Sequence, residues 1–217
     1  MKLKYMNSLK TTVYLMSLWA LFASCAKEVS ESHDELEQRY IEAYMNVNAE
    51  KYPGATLSES GLYFLSHTRH TSGDMPKDDD MIYIRYTSLT LAGNIAETSV
   101  DSLARMLGTH SYTTYYGPKL FSVAEGATLA GLREAFLDMR TSDTVRILLP
   151  SKLSTSGLSD ARLYDVPMIY DLELLRVEPD IAQFQVDSLA KYKTAHYPGA
   201  TAIIVDSIYF KSLNEGS

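Results

Sequence analysis

The chain has one cysteine, Cys25, and one tryptophan, Trp19. A single thiol excludes internal disulfides and cysteine-rich metal sites, so the fold must be held by its core alone. The five histidines are scattered; only His67 and His70 stand close, with no cysteine or clear carboxylate partner beside them. Asp78, Asp79 and Asp80 lack the ligand spacing and glycine of an EF-hand loop. No G-x-S-x-G, phosphate-binding glycine loop or nucleophile–histidine pattern occurs. No metal or cofactor is therefore expected. Basic residues are also few, 20 against 27 acidic, for a formal charge of −7. Lys2, Lys4 and Lys10 are the only charges before Cys25, so the remainder carries 17 basic and 27 acidic residues, a net of −10. A surface so acidic repels phosphate backbones, which argues against nucleic acid as a partner.

Apolar residues make up 46% of the 217, enough for a packed core. The first 25 residues read as a targeting signal rather than as structure. Lys2, Lys4 and Lys10 form a positive n-region, and Val13–Phe22 is an apolar stretch short for a spanning helix. Ala23-Ser24-Cys25 follows. Small residues before a lone cysteine resemble the lipobox of bacterial lipoproteins, with Phe22 where that family usually has leucine. The resemblance implies cleavage before Cys25, lipidation of its thiol, and attachment to a membrane through the acyl chains. Ala26 rather than aspartate after the cysteine implies, by that family's sorting rule, the outer membrane of the cell envelope, on its periplasmic or surface face. An ordinary secretory signal or a membrane anchor with an incidental cysteine is the other reading. Residues 26–34 are polar and read as a tether.

From Glu35 the periodicity is helical, with Leu36, Tyr40, Tyr44 and Val47 on one stripe, and Tyr52-Pro53-Gly54 ends it. This N-terminal helical extension occupies 35–58. Ser60–Leu65 and Met81–Thr87 read as strands, the second strongly, from its β-branched and aromatic content. A polar loop, 67–77, lies between them. Ala92-Gly93-Asn94 predicts a turn and Ile95–Ser99 a returning strand. Val100–Leu107 predicts a short helix capped by Asp101, with Leu103, Met106 and Leu107 inward, before a tyrosine-rich loop.

The stretch Phe121–Pro150 is the most ordered in pattern. Leu129, Leu132, Phe136 and Met139 share one helical face, and Gly126 and Gly131 punctuate its approach. Val145, Ile147 and Leu149 alternate with Arg146 and Leu148, as in a strand. Asp138 and Asp143 read as surface charges. Residues 151–165 predict a loop containing Gly157, and Val166–Val177 a closing strand, Ile169, Asp171 and Glu173 alternating with Met168, Tyr170, Leu172 and Leu174. One helix embraced by strands is an α+β plan. Beyond Pro179, Ile181–Lys193 predicts another helix, with Phe184, Leu189 and Tyr192 inward. It ends in Tyr197-Pro198-Gly199-Ala200-Thr201, the same pentapeptide as Tyr52–Thr56, and each copy precedes a strand-like run. The copies flank the central domain, so this is not a solenoid. Residues 179–217 read as a C-terminal helix and strand, either the vestige of a second unit or a strand that pairs on a sheet edge.

Residues 59–178 resemble a peptidyl-prolyl isomerase domain of the FK506-binding-protein (FKBP) type. Ile84–Ser88 is similar to the family's V-x-Y-T-G strand, and Leu91–Ser99 to its D-G-x-x-F-D-S-S hairpin. Phe121–Met139 resembles F-x-L-G-x-x-x-V-I-x-G-W-E-x-x-L-x-x-M. Arg146–Leu153 resembles the strand ending in Ile-Pro, and Val166–Val177 resembles the closing strand. The family fold is a twisted antiparallel sheet wrapped around one short helix, here with helical N- and C-terminal extensions.

The resemblance implies an isomerase, or a folding chaperone, acting on X-Pro bonds of proline-containing polypeptide clients in the cell envelope. By that resemblance the pocket residues are Tyr86, Glu97 (at the aspartate that partners the tyrosine), Phe121, Thr128, Leu129, Leu132 (where many members have tryptophan) and Tyr170. Ala96 stands at a pocket phenylalanine, Ala124 at a glycine, and Thr155 near the family's loop tyrosine. Tyr112, Tyr115 and Tyr116 either fold over this divergent pocket or form an exposed loop. The alternative function is a non-catalytic binding or structural lipoprotein on the same scaffold.

Overall fold

The computed structural model describes residues 32–156, 162–204 and 208–210; Cys25, the signal-like segment, most of the tether and Gly157 lie outside them. The chain divides into residues 1–38 and 39–217. In the first unit, the Ser32 N–H donates to Glu35 Oε2 at 2.8 Å and the Glu35 N–H to Ser32 Oγ at 3.2 Å. This reciprocal capping box opens helix α1, His33–Val47.

The second unit holds the sheet. Its strands are β1 (Thr56–Leu57), β2 (Tyr63–Thr68), β3 (Met81–Thr90), β4 (Ile95–Thr98), β5 (Lys119–Ser122), β6 (Thr144–Leu149) and β7 (Met168–Glu178). They pair antiparallel in the order β1-β2-β6-β7-β3-β4, with β5 also on β3. Helix α2 is Asp101–Met106 and helix α3 is Ala130–Leu137. The sheet wraps α3, so the α+β plan expected from the pattern is the one observed.

The two faces of the sheet follow the strand alternation. On one face Val145, Ile147 and Leu149 of β6 and Tyr170, Leu172 and Leu174 of β7 pack with Leu132, Ala135 and Phe136 of α3. On the other, Leu148 and Ile169 meet Ile41 and Tyr52. Strand β6 is thus buried on both sides, more than a single apolar face required. Gly131 lets α3 press onto β6: a Cβ there would lie 2.1 Å from Leu149 Cδ1.

Several expectations are corrected. The buried face of the second-unit part of α1 is Ile41 with Tyr44 and Met45, not the stripe through Tyr40 and Val47; Val47 is 85% exposed. Tyrosine is amphipathic and marks a buried stripe poorly. In α2 only Ala104 is buried, and Met106 and Leu107 are exposed. Asp101 is not its cap; it accepts instead from Arg105 Nε at 2.8 Å and pairs with His110 Nε2 at 3.0 Å. Asp143 is no surface charge. It is 1% exposed and accepts the backbone N–H groups of His70 and Arg140 at 2.6 and 2.8 Å.

Helix α4, Ile181–His196, is capped by Asp180, whose side chain accepts the Gln183 N–H at 2.9 Å. Phe184 packs edge-on against Tyr83, with the Arg176 guanidinium 4.0 Å above its ring. Tyr192, expected inward, is exposed. Strands β8 (Thr201–Ile204) and β9 (Ile208–Phe210) follow as a two-stranded antiparallel hairpin.

Candidate functional site

Tyr86, Glu97, Phe121, Thr128, Leu129, Leu132 and Tyr170 all line one cleft of about 180 Å3 between α3 and the concave sheet face. Register explains the convergence. On β3, Tyr86 faces Leu172 of β7, and its neighbour Ser88 faces both Tyr170 of β7 and Glu97 of β4. Phe121 of β5 pairs with Ile82 of the same β3. Thr128 and Leu129 come from the turn before α3, and Leu132 from its first turn.

The walls are aromatic. The Tyr86 and Phe121 rings meet edge to face with centroids 6.0 Å apart; Phe121 and Phe136 are at 5.4 Å, and Tyr86 and Tyr170 at 6.4 Å. Such pairs hold one another in orientation at about 0.5–1.5 kcal/mol each beyond their contact area. The Tyr86 hydroxyl donates to Glu97 Oε1 at 2.5 Å, and the Tyr170 hydroxyl to that of Tyr164 at 3.2 Å. Burial, then the Glu97 bond and charge, push the Tyr86 phenol well above its ordinary range. Burial and the Tyr164 bond do the same for Tyr170. Both phenols therefore stay protonated, which suits oriented walls and not proton abstraction.

Four further residues line the cleft: Phe136, Leu163, Tyr164 and Leu172. Leu163, 62% exposed, stands at the mouth. Tyr164 supplies a loop tyrosine from the far side of the loop, not from the Thr155 region. Ser154 fixes it: Ser154 Oγ accepts the Tyr164 N–H at 3.2 Å, and Ser154 O accepts the Leu163 N–H at 2.9 Å. The near side of the loop is stitched to α3, because the Ala130 N–H donates to Thr155 O at 2.9 Å and Leu129 bridges Ser156. The sequence trace of Tyr164 is a leucine–tyrosine pair, Leu163-Tyr164, in a polar loop, and no periodicity marks it as a site residue.

Other expected participants lie elsewhere. Ala96 is exposed on β4. Tyr112, Tyr115 and Tyr116 do not line the cleft; Tyr112 is 93% exposed, and Tyr116 stacks on His110 at 4.9 Å. Two larger depressions, about 360 and 520 Å3, are walled by charged residues that are largely paired already, such as Arg146 with Asp171 and Arg69 with Asp138. Only the smallest of the three gathers aromatic rings. Among the described residues no group of three or more His, Cys, Asp or Glu side chains could hold a metal ion.

No protein-family model and no curated protein sequence matches the chain. Solved structures do. FkpA from Escherichia coli aligns over 78% of this chain and 72% of its own, at 19% identity and a TM-score of 0.50. A peptidyl-prolyl cis-trans isomerase from Pseudomonas syringae pv. tomato aligns over 69% of this chain and 98% of its own, at 20% identity and a TM-score of 0.44. The likeness to FkpA shows that the chain has the FKBP-like fold.

Proposed function

We propose that this chain is a peptidyl-prolyl cis-trans isomerase that takes the proline ring of polypeptide clients into the cleft between α3 and the sheet. The observation that carries the proposal is the convergence of Tyr86, Phe121, Leu129, Leu132, Phe136, Tyr164 and Tyr170 on one small apolar cavity. An X-Pro bond isomerises over a barrier of about 18–20 kcal/mol, because the planar amide is held by resonance. Twisting the bond removes that resonance and makes it less polar. A dry aromatic cleft therefore favours the twisted state over the planar one, without an acid, a base or a metal. About 180 Å3 is small beside a drug-sized site and suits a single ring. Because Tyr170 donates to Tyr164, the Tyr164 hydroxyl keeps its own hydrogen for an acceptor in the cleft, such as the carbonyl before the proline.

The test is a refolding reaction limited by prolyl isomerisation. The expected result is a rate that rises with concentration of this chain and falls on Tyr86→Ala. Binding of a proline peptide with no acceleration assigns the scaffold to the non-catalytic alternative.

We further propose export and attachment to the envelope, at the outer membrane, through acylated Cys25, on the pattern of Lys2, Lys4, Lys10, Val13–Phe22 and Ala23-Ser24-Cys25. Mass spectrometry of the cell-derived protein should find Cys25 at its N-terminus carrying acyl chains. An unmodified Cys25, or a Cys25→Ala chain still processed at the same bond and held in membranes, refutes the attachment.

A further inference from the structure

The insertion between β4 and β5 leaves and returns beside Tyr86. Strand β3 is paired with β5 as far as Ile84 opposite Lys119, and with β4 from Thr87 opposite Thr98. Tyr86 stands where the partner changes. The Ser99 N–H donates to Tyr86 O at 2.9 Å, and the Tyr86 N–H donates to Ser99 Oγ at 2.9 Å. The Gly117 N–H then closes the insertion by donating to Ser99 O at 2.8 Å. Both ends are therefore rooted at the cleft wall.

The insertion is braced from within. The His110 ring, paired with Asp101, stacks on Tyr116, whose hydroxyl accepts the Ser111 N–H at 3.1 Å. On this support Tyr115 is held from two sides. Gly117 leaves it room: a Cβ there would lie 2.6 Å from Tyr115 Oη and 2.8 Å from its Cζ. Lys119 places its ammonium 5.7 Å from the Tyr115 ring centroid, within reach of cation–π attraction. The ring is nonetheless 65% exposed. An aromatic ring kept in place yet open to water is pre-ordered for contact, so little freedom is lost when something packs on it.

Register fixes the side of the sheet on which this ring is held. Phe121 and Lys119 lie opposite Ile82 and Ile84, which are buried on the α3 face, so their side chains leave on that face too. Lys119 lies two residues, about 7 Å, along β5 from the cleft wall at Phe121. Tyr115 thus continues that wall past the rim. A polypeptide with its proline in the cleft must run out over the rim, and two extended residues span the same distance.

We infer that Tyr115 is a specificity-determining residue, which takes a large apolar or aromatic client side chain two or three positions from the proline. The inference rests on the prolyl reading of the cleft and adds a second point of contact to it. That contact is remote from the twisting bond and is made equally before and during the twist. It therefore lowers KM and leaves kcat little changed.

Paired proline peptides test it, carrying phenylalanine or glycine at the second or third position on either side of the proline. The purified chain is assayed with each pair for isomerisation and for equilibrium binding. The expected result is a KM and Kd about threefold or more lower for a phenylalanine peptide than for its glycine twin, with kcat alike. Tyr115→Ser loses that preference and Tyr115→Phe keeps it. Tyr112→Ser, at a 93% exposed tyrosine of the same insertion, leaves it intact. Twins bound and turned over alike overturn the inference while the prolyl reading stands, as does a preference that survives Tyr115→Ser. A chain that binds the peptides without isomerising them overturns the isomerase reading alone, and Kd then decides the role of Tyr115. A chain that binds none of them overturns both.

Discussion

The Tyr86 hydroxyl donates to the Glu97 carboxylate at 2.5 Å, joining neighbouring strands at the wall of the aromatic cleft. Burial and this bond keep the phenol protonated. The bond fixes the tilt of the ring, which meets Phe121 on one side and Tyr170 on the other. The carboxylate itself is exposed, so the pair couples a solvated anion to a half-buried ring.

That arrangement separates ring from hydroxyl. Tyr86→Phe keeps the wall and frees an anion that water resolvates, so kcat/KM for prolyl-limited refolding should stay within about threefold. Tyr86→Ala removes aromatic contact worth about 1.5–3 kcal/mol and should lower kcat/KM at least tenfold. Equal losses in the two variants would falsify the wall role and move the function to the hydroxyl.

Tyr164 invites a similar comparison. Tyr164→Phe removes the acceptor for the Tyr170 hydroxyl, which sits on a residue only 4% exposed. Leaving that donor unsatisfied should lower stability by about 1–3 kcal/mol in urea denaturation. If the Tyr164 hydrogen also binds the client, KM should rise while kcat changes less. A variant that loses stability with KM unchanged limits Tyr164 to packing.

The residues of this cleft were legible through the family resemblance, and strand alternation is the physical reason they share a face. Once Tyr86, Phe121 and Tyr170 lie on neighbouring strands, they must converge. Tyr164 was not legible, because its place depends on a loop closed by Ser154 rather than on any periodicity. The same limit applies to α1. Tyr40 and Val47 suggested a stripe with Tyr44, but only Tyr44 of the three packs on the sheet, beside Ile41, one position round the helix from Tyr40. Asp143 was misread because burial of a charge is decided by donors distant in sequence, His67 and His70, which no local pattern announces.

Gly131 tests the packing of α3 on the sheet. Alanine there gains about 1 kcal/mol of helix propensity. Its Cβ, however, would stand 2.1 Å from Leu149 Cδ1 and 3.1 Å from Leu153 Cβ. Leu149 is itself 1% exposed and has nowhere to turn. Overpacking of this kind costs about 1–3 kcal/mol, so Gly131→Ala should lower the urea midpoint despite the better helix former. An unchanged midpoint would mean that α3 is free to shift outward, and the cleft with it.

Asp143 offers the sharpest stability test, because its environment has opposing parts. Burial alone would raise its carboxyl, yet the backbone N–H groups of Arg140 and His70 and the rings of His67 and His70 outweigh burial and hold it below the usual carboxylate range. A carboxylate lowered on folding adds stability above its unfolded value, near pH 4, and loses that contribution as pH falls through the folded value. The chain should therefore lose stability on acidification below about pH 4, with protonation of Asp143 as one cause. Asp143→Asn retains an acceptor for one backbone N–H but turns an amide donor on another group that needs an acceptor. It should cost about 2–4 kcal/mol at neutral pH and flatten the acid limb of the stability profile. Urea denaturation from pH 3 to pH 7 measures both effects. A variant equally unstable at neutral pH but with the acid limb unaltered would show that the His67–Asp143–His70 cluster shapes the loop without setting the pH response.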